Sequence, residues 1–260
     1  MANGWVTKGV LITVKTYPTP ALKGGEVVCT AGITADGEWI RLFPIPYRML
    51  DDPQKFKKYQ WIEARVRRAN ADARPESYHV DAGSIRVLAE PLKTDNYWQA
   101  RKDVVFPLLS HSMCQLQAER DAKGFPTLGI FRPKEIKSLR IEPSEAEWSD
   151  AELARLSQLN LIVAAPARQL EKIPFAFSYV YVCDDPNCRG HTMTCVDWEM
   201  SQAYRNFSRT YRRGWEAKFR NRFEQEKIAK NDTHFYVGTI HGHPQSWIII
   251  GLFYPMKPKV

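Results

Sequence analysis

The sequence predicts a β-rich α+β fold, in which two small β-barrel units are joined by helices and one long basic helix lies in the C-terminal half. Three observations support this class. Short β-branched segments fill the first ninety residues, a helical pattern begins near Asp95, and a strongly basic helical pattern covers residues 199–230. We therefore expect an N-terminal barrel at residues 1–94, a helical and extended connecting region at 95–172, and a C-terminal β-unit at 173–260.

The N-terminal barrel is predicted from its strand pattern. Residues 10–14, 26–33 and 38–43 have the composition of strands, and the turn sequence Ala35-Asp36-Gly37 between the last two is a hairpin signal. Residues 59–67 alternate large and charged side chains, as a half-buried strand does. Short strands at this spacing are typical of a small closed or partly closed barrel such as the OB-fold. A second OB-like unit is predicted from Pro174 onward.

Composition is that of an ordinary globular protein. The 260 residues are 44% hydrophobic and 25% charged, which argues against a fibrous fold or extensive disorder. No apolar run reaches the roughly 20 residues that a membrane-spanning helix needs, and the N-terminus does not have the pattern of a signal peptide. We expect a cytoplasmic protein with no membrane partner. Five cysteines, three of them clustered, favour reduced thiols or a metal site over a disulfide framework.

The charge balance favours a polyanionic partner. Lysine and arginine total 37 against 29 acidic residues, a formal charge of +8, and neutralising phosphates releases counterions. In the long basic helix, a track for phosphate contacts is predicted at Arg205, Arg209, Arg212 and Arg213, and the alternative is an ordinary solvated face. Aromatic residues that recur every fourth position there indicate core packing or, alternatively, base stacking. Gly214 is the expected position of a helix break.

A cluster of cysteine and histidine between residues 183 and 195 is the densest concentration of chemical groups. Thiolate and imidazole at short spacings suit a tetrahedral zinc ion, and the predicted ligands are Cys183, Cys188, His191 and Cys195. Four ligands leave no open position, so this zinc would be structural. The other two cysteines, Cys29 and Cys114, have apolar surroundings and are predicted to be core residues.

Two alternatives for this cluster remain open. In the first, His191 joins Asp197 and Glu199 in a catalytic centre for phosphodiester hydrolysis, assisted by a hard cation such as magnesium. In the second, Cys188 and Cys195 are small buried side chains and His191 is a residue of a surface loop. Asp197 also has a structural interpretation as the N-cap of the long helix.

Part of the chain resembles a known family. The segment GEVVCTAGITADGEWIRLFPIPYR at residues 25–48 resembles the opening of the dual OB-fold domain family found near prokaryotic defence and mobile-element genes, and DARPESYHV and TLGIFRPKEI look similar to bacterial proteins from the same setting. The resemblance implies two OB-like barrels and a role directed at nucleic acid in an antiviral defence or mobile-element system. It implies no catalytic residues.

These observations lead to three hypotheses about function. The first is a bacterial DNA- or RNA-binding protein with a structural zinc, in which an aromatic and basic barrel face at Trp39, Arg41, Tyr47 and Arg48 contacts bases and backbone. The alternative is a metal-dependent enzyme that acts on nucleic acid or nucleotides through His191, Asp197 and Glu199. The third is an interaction subunit whose basic helix binds an acidic protein partner.

Overall fold

The computed structural model describes residues 4–21, 25–157 and 169–258, so residues 158–168 of the predicted connecting region lie outside it. The chain forms two compact units. The first unit consists of Met1–Ala71, Ser77–Pro91 and Pro143–Phe175, and the second of Asp72–Glu76, Leu92–Glu142 and Ala176–Val260. The connecting region predicted at 95–172 is therefore divided between the two units.

A closed five-stranded barrel forms the body of the first unit, as the sequence predicts. Its strands are β1 (Val6–Lys15), β3 (Gly25–Thr34), β4 (Trp39–Ile45), β5 (Trp61–Arg68) and β6 (Ser77–Val80). They pair in the order β1-β3-β4-β6-β5, and β5 returns to β1 and closes the barrel. Only the β4–β6 pair is parallel among these pairings. This Greek-key order is compatible with an OB-fold. Short strands β2 (Thr19–Ala21) and β7 (Arg86–Val87) extend the sheet at β3 and β5.

Alternation of side chains along the strands forms the barrel core. Ile62, Ala64 and Val66 point inward from β5, while Arg65 and Arg67 between and beyond them are exposed. Gly32 permits the close approach of β3 to β1, because a Cβ there would lie 2.4 Å from the carbonyl oxygen of Leu11.

The outer face of the barrel is covered at β1, β3 and β4. Leu11, Ala31 and Ile33 point away from the core residues of their own strands, yet they are 0%, 1% and 0% exposed. Within the unit, helix α3 (Asp150–Ser157) contacts β2 and β3, and the hydroxyl of Tyr17 donates to the carbonyl of Glu171 at 2.7 Å. The segment around residues 143–175 is thus part of the structure of the first unit.

The second unit contains two sheets and several helices. One sheet has the order β10-β11-β12 and the other the order β14-β13-β9-β8, and an isolated bridge from Cys195 to Ile249 connects β12 to β14. Its strands are β8 (Leu109–Ser110), β9 (Leu128–Phe131), β10 (Glu135–Pro143), β11 (Phe175–Val182), β12 (His191–Thr194), β13 (His234–Ile240) and β14 (His243–Phe253). The described pairings do not close on themselves, so this unit is more open than the predicted second barrel. Rings of Phe131, Tyr181 and Phe235 fill its core.

Helices of the second unit precede its strands or lie between them. Helix α1 (Asp95–Val105) and helix α2 (Met113–Lys123) come before β9. The predicted long basic helix consists of α4 (Trp198–Tyr211), a 3-10 turn at Arg212–Gly214, α5 (Trp215–Arg220), a π-helical turn at Asn221–Gln225, and α6 (Glu226–Ala229). No helix in the described part of the chain is both long enough and apolar enough to cross a membrane.

The break in the long helix lies where the sequence predicts it, although its conformational cause is a different residue. Gly214 has an ordinary φ of −88°, whereas Arg212 has a φ of 46°. Beyond the break, Phe219 and Phe223 are 0% and 2% exposed. Core packing is therefore confirmed for these two of the aromatic residues that recur every fourth position. Tyr211, by contrast, is exposed.

Candidate metal centre and basic surface

Four side chains of the second unit form a compact group of metal donors. The three sulfur atoms and one imidazole nitrogen of Cys114, Cys183, Cys188 and His191 all lie within 4.8 Å of one another. Cys114 lies in the first turn of α2, Cys183 follows β11, Cys188 lies in the connecting loop, and His191 begins β12. This group can hold one metal ion and would then connect α2 to the β11–β12 hairpin.

The structure corrects the predicted ligand set at one position. Cys195 is not in the group, and Cys114, which was predicted to be a core residue, takes its place. A strand rises about 3.3 Å per residue, so Cys195 lies roughly 13 Å along the chain from His191, too far to share an ion with it. Cys195 is 4% exposed, and its amide donates to the carbonyl of Phe177 at 2.7 Å.

Two backbone amides donate hydrogen bonds to the sulfur of Cys188 in the loop between β11 and β12. The amides of Cys183 and Gly190 donate to Sγ of Cys188 at 3.2 and 3.4 Å. Burial opposes ionisation of this thiol, but the amide donors together lower the pKa of Cys188 below its ordinary value. The turn depends on Gly190, which has a φ of 90°, and on Asp185, whose side chain accepts from the amide of Asn187 at 2.8 Å.

Backbone amides in the first turn of α2 donate hydrogen bonds to the sulfur of Cys183. Ser112 caps this helix by accepting from the amide of Gln115 at 3.0 Å. Burial raises the pKa of the Cys183 thiol, while hydrogen bonds from the amides of Cys114 and Met113 oppose that rise. Burial, together with the neighbouring Cys183 sulfur, raises the pKa of Cys114 to about 12. A bound cation would lower the pKa of both thiols again, because it stabilises their thiolate forms.

His191 is positioned to donate a neutral nitrogen. Its ring stacks on Tyr181 with the two centroids 5.0 Å apart, and its Nε2 lies 3.4 Å from Sγ of Cys114. Burial lowers the pKa of the imidazole, which favours the uncharged form that binds metals.

The acids predicted for a catalytic centre serve the start of α4. Oδ1 of Asp197 accepts from the amides of Glu199 and Met200 at 2.7 and 3.3 Å, and Oδ2 accepts from the amide of Leu252 at 3.3 Å. Asp197 is therefore the N-cap, as its structural interpretation predicts. Glu199 accepts from the hydroxyl of Tyr254 at 3.0 Å. Neither acid belongs to the donor group that contains His191.

The predicted barrel face also differs from expectation. Arg41 is 3% exposed and donates to the hydroxyl of Ser77 at 3.1 Å, so it is a buried structural residue rather than a surface group. Arg48 pairs with the buried carboxylate of Glu26 at 2.7 Å, and the Tyr47 hydroxyl donates to the carbonyl of Phe56. Trp39 is half-buried. The polar groups of Arg41, Tyr47 and Arg48 thus form hydrogen bonds and an ion pair within the first unit.

The predicted arginine track is exposed over most of its length. Arg209 is exposed in the last turn of α4, and Arg212 and Arg213 are exposed in the 3-10 turn that follows it. Arg205 is half-buried and donates to Gln202 at 2.9 Å. Tyr211 is 44% exposed, and the ammonium group of Lys218 lies 5.5 Å from its ring centroid. We call this surface the basic turn, and define it by Arg209, Tyr211, Arg212, Arg213 and Lys218.

Sequence reasoning missed Cys114 because a complete set of four donors was already present within thirteen residues. A usable signal was nevertheless present. Ser112 and Gln115 form a helix-capping pattern, which places Cys114 in the first turn of a helix, where free amides favour a thiolate. The extended conformation predicted from His191 to Cys195 could also have excluded Cys195, because four residues of strand span roughly 13 Å.

The fold and the donor group define a two-unit, β-rich protein with a closed barrel and a potential metal centre. Residues 109–260 match the family model described as Domain of unknown function (DUF8757), and the chain therefore belongs to this family. Residues 6–107 match a second model, described as Domain of unknown function (DUF8758). No curated protein matches the chain. The four donors fall within the first match and the five barrel strands within the second.

Proposed function

We propose that the protein binds nucleic acid through the basic turn and that a structural zinc ion holds the second unit in shape. The observation that carries the binding role is the exposed set of cations around Tyr211 in a chain of formal charge +8. Cations of this kind bind phosphates, and an exposed aromatic ring can stack on an unpaired base. The resemblance to dual OB-fold proteins of defence and mobile-element settings agrees with this role.

The interface proposed here lies on the second unit, not on the barrel face. Arg212 and Arg213 are exposed, and no ion pair is found for them within the described ranges. Arg41 and Arg48, in contrast, bond to Ser77 and Glu26. Binding by the exposed pair requires no internal bond to be broken.

Binding is tested by titrating labelled single-stranded and double-stranded DNA and RNA at several salt concentrations. We expect affinity to fall steeply with salt, and the double variant Arg212→Ser, Arg213→Ser to bind about tenfold or more weakly with a shallower salt dependence. The matched control is Lys137→Ser, Arg140→Ser, which removes the same charge from exposed positions on β10. Salt-independent affinity, or equal losses in both variants, would contradict the proposal.

Zinc is proposed because three thiolates and one imidazole are the donors that it prefers. Bond lengths of about 2.3 Å to sulfur and 2.0 Å to nitrogen place tetrahedral donors roughly 3.5–3.8 Å apart. The observed separation of 3.4 Å between Cys114 and His191, and the upper limit of 4.8 Å for the group, fit an ion after small side-chain shifts. Four protein ligands complete the tetrahedron, so the ion would be structural.

The test of the zinc site compares a cysteine inside the donor group, Cys114, with one outside it, Cys195. Metal analysis of the purified protein is expected to give one equivalent of zinc, which is lost in Cys114→Ser and retained in Cys195→Ser. Cys114→Ser should also unfold at lower temperature, because metal binding contributes to folding free energy. A protein that contains no zinc when refolded with it, or a loss confined to Cys195→Ser, would refute this assignment.

A further inference from the structure

A second candidate site lies in the second unit, outside the metal donors and the basic turn. It is a cavity of about 460 Å³, within the usual range for small-molecule sites. Trp98 and Tyr254 provide aromatic walls, and the charged lining consists of Arg222, Lys227, Lys230 and Glu226. Three cations against one carboxylate give the cavity a positive charge.

Lys227 places a buried ammonium group in the wall of this cavity. It is 4% exposed, and its ammonium group lies 3.9 Å from the ring centroid of Tyr254 and 3.3 Å from Oδ1 of Asn231. No carboxylate lies within ion-pair distance of it in the part of the chain that is described. Buried lysines are ordinarily paired, because an unpaired buried charge is costly. An anion in the cavity would supply the missing partner.

Trp98 gives the cavity a planar apolar surface. The indole is half-buried, and its ring centroid lies 5.2 Å from those of Phe253 and Tyr254. The guanidinium of Arg101 lies 4.5 Å from the same ring centroid. Packing on several sides holds the indole in one orientation at the cavity wall.

The backbone is unusual on both sides of the cavity. Asn96, Tyr97 and Trp98 have φ values of 46°, 53° and 66°, a left-handed run that is costly for residues other than glycine. On the other side, the π-helical turn Asn221–Gln225 contains Arg222 and immediately precedes Glu226 and Lys227. Strained residues and π-helical turns are both enriched at functional sites. Here both of them position side chains of the same cavity.

We propose that this cavity binds a nucleoside phosphate, with the base against Trp98 and the phosphate beside Lys227, Arg222 and Lys230. An aromatic wall beside a cluster of cations matches a ligand that carries a planar ring and a phosphate. A free nucleotide and the phosphorylated end of a strand share this chemistry. The inference goes beyond the proposed function, because it requires no contact between nucleic acid and the basic turn.

Calorimetric titration of the full chain with AMP, adenosine and inorganic phosphate tests this site. We expect AMP to bind at least about tenfold more tightly than either adenosine or phosphate, since only AMP engages both walls. Lys227→Met and Trp98→Ala should each weaken AMP binding by about tenfold, while Lys137→Met, on an exposed strand position, should not. Lys227→Met is expected to fold, because it removes an unpaired buried charge.

A pair of oligonucleotides distinguishes the two sources of the ligand. Preference for a 5′-phosphorylated over a 5′-hydroxyl strand, lost in Lys227→Met, identifies a strand end, whereas AMP binding without that preference identifies a free nucleotide. Absence of both effects at about millimolar ligand overturns the site. Equal affinity for AMP and inorganic phosphate, or unchanged AMP binding by folded Lys227→Met, also overturns it. Salt-dependent oligonucleotide binding that is sensitive to Arg212 and Arg213 would still stand in each of these cases.

Discussion

Lys227 shows at the scale of one residue how burial connects structure to pH. Its side chain is enclosed between α6 and Tyr254, and the loss of hydration disfavours the charged ammonium form. Burial, followed by repulsion from Arg222, lowers the pKa of Lys227 to about 8. In the unfolded chain the same group has a pKa near 10.4. The folded protein therefore releases this proton at a lower pH than the unfolded chain does.

This difference predicts a rise in stability with pH. Between about pH 8 and 10 the unfolded chain holds more protons than the folded one, so the free energy of unfolding should increase across that window, on the order of 2 kcal/mol. Below pH 8 both states are protonated and the full cost of burial is present. Urea unfolding from pH 7 to 10 measures the effect. Lys227→Met is the reference, because it should lack this contribution while other groups titrate equally in both proteins. Parallel pH curves for the two proteins would show that the pKa is not lowered.

The metal donors show why a single residue can escape sequence interpretation. Cys183, Cys188 and His191 are close in the chain, and their spacing was sufficient to predict a shared ion. Cys114 reaches them only because α2 packs its first turn against the end of β11, a tertiary contact with no local signature. Cys195 was predicted as the fourth ligand because it is close to His191 in the sequence. The extended geometry of the strand places it too far from His191 to share an ion.

Helix α4 shows how one buried carboxylate organises an element. Asp197 accepts amide hydrogen bonds from the first turn of α4 and also from Leu252 in β14, so it joins the helix to the sheet. The N-cap could be predicted from sequence, because Asp197 directly precedes a helical pattern. Its second role could not, since Leu252 is distant in the chain. The same bonds explain why this acid need not be catalytic.

Replacing Asp197 by alanine should therefore destabilise the protein by about 2 kcal/mol or more. Loss of the cap costs about 1 kcal/mol, and the buried amide of Leu252 is left without a partner at a further cost of about 1–3 kcal/mol. Urea unfolding followed by circular dichroism measures the change. Ser149→Ala is the matched control, because Ser149 caps α3 in an exposed position through Glu152 and should cost about 1 kcal/mol or less. A smaller loss for Asp197→Ala than for this control would contradict the assignment.

At the scale of the whole molecule, local strand patterns predicted the closed barrel and the β-rich class, while long-range packing determined the boundaries. Residues 143–175 belong to the first unit although they follow α1, α2 and β9 of the second. The burial of Leu11 and Ile33 on the outer side of the barrel is likewise a tertiary effect. It explains why Arg41, which has the right residue type for a binding face, is a buried structural residue.

The noncontiguous first unit leads to a prediction about fragments. A fragment of residues 1–107 would contain every strand of the barrel but would lack α3, together with Leu156 and Leu170, which are 7% and 5% exposed in the intact chain. It would also lose the hydrogen bond from Tyr17 to Glu171. We expect this fragment to expose apolar surface and to aggregate or unfold at low urea concentration, because each buried leucine contributes about 1.5–3 kcal/mol.

A fusion of residues 1–107 to residues 143–175 through a flexible linker should recover cooperative unfolding. The same fusion with Leu156 and Leu170 replaced by serine should not. A fragment of residues 1–107 that unfolds cooperatively, with the same urea midpoint as the fusion, would show that the barrel does not depend on this segment.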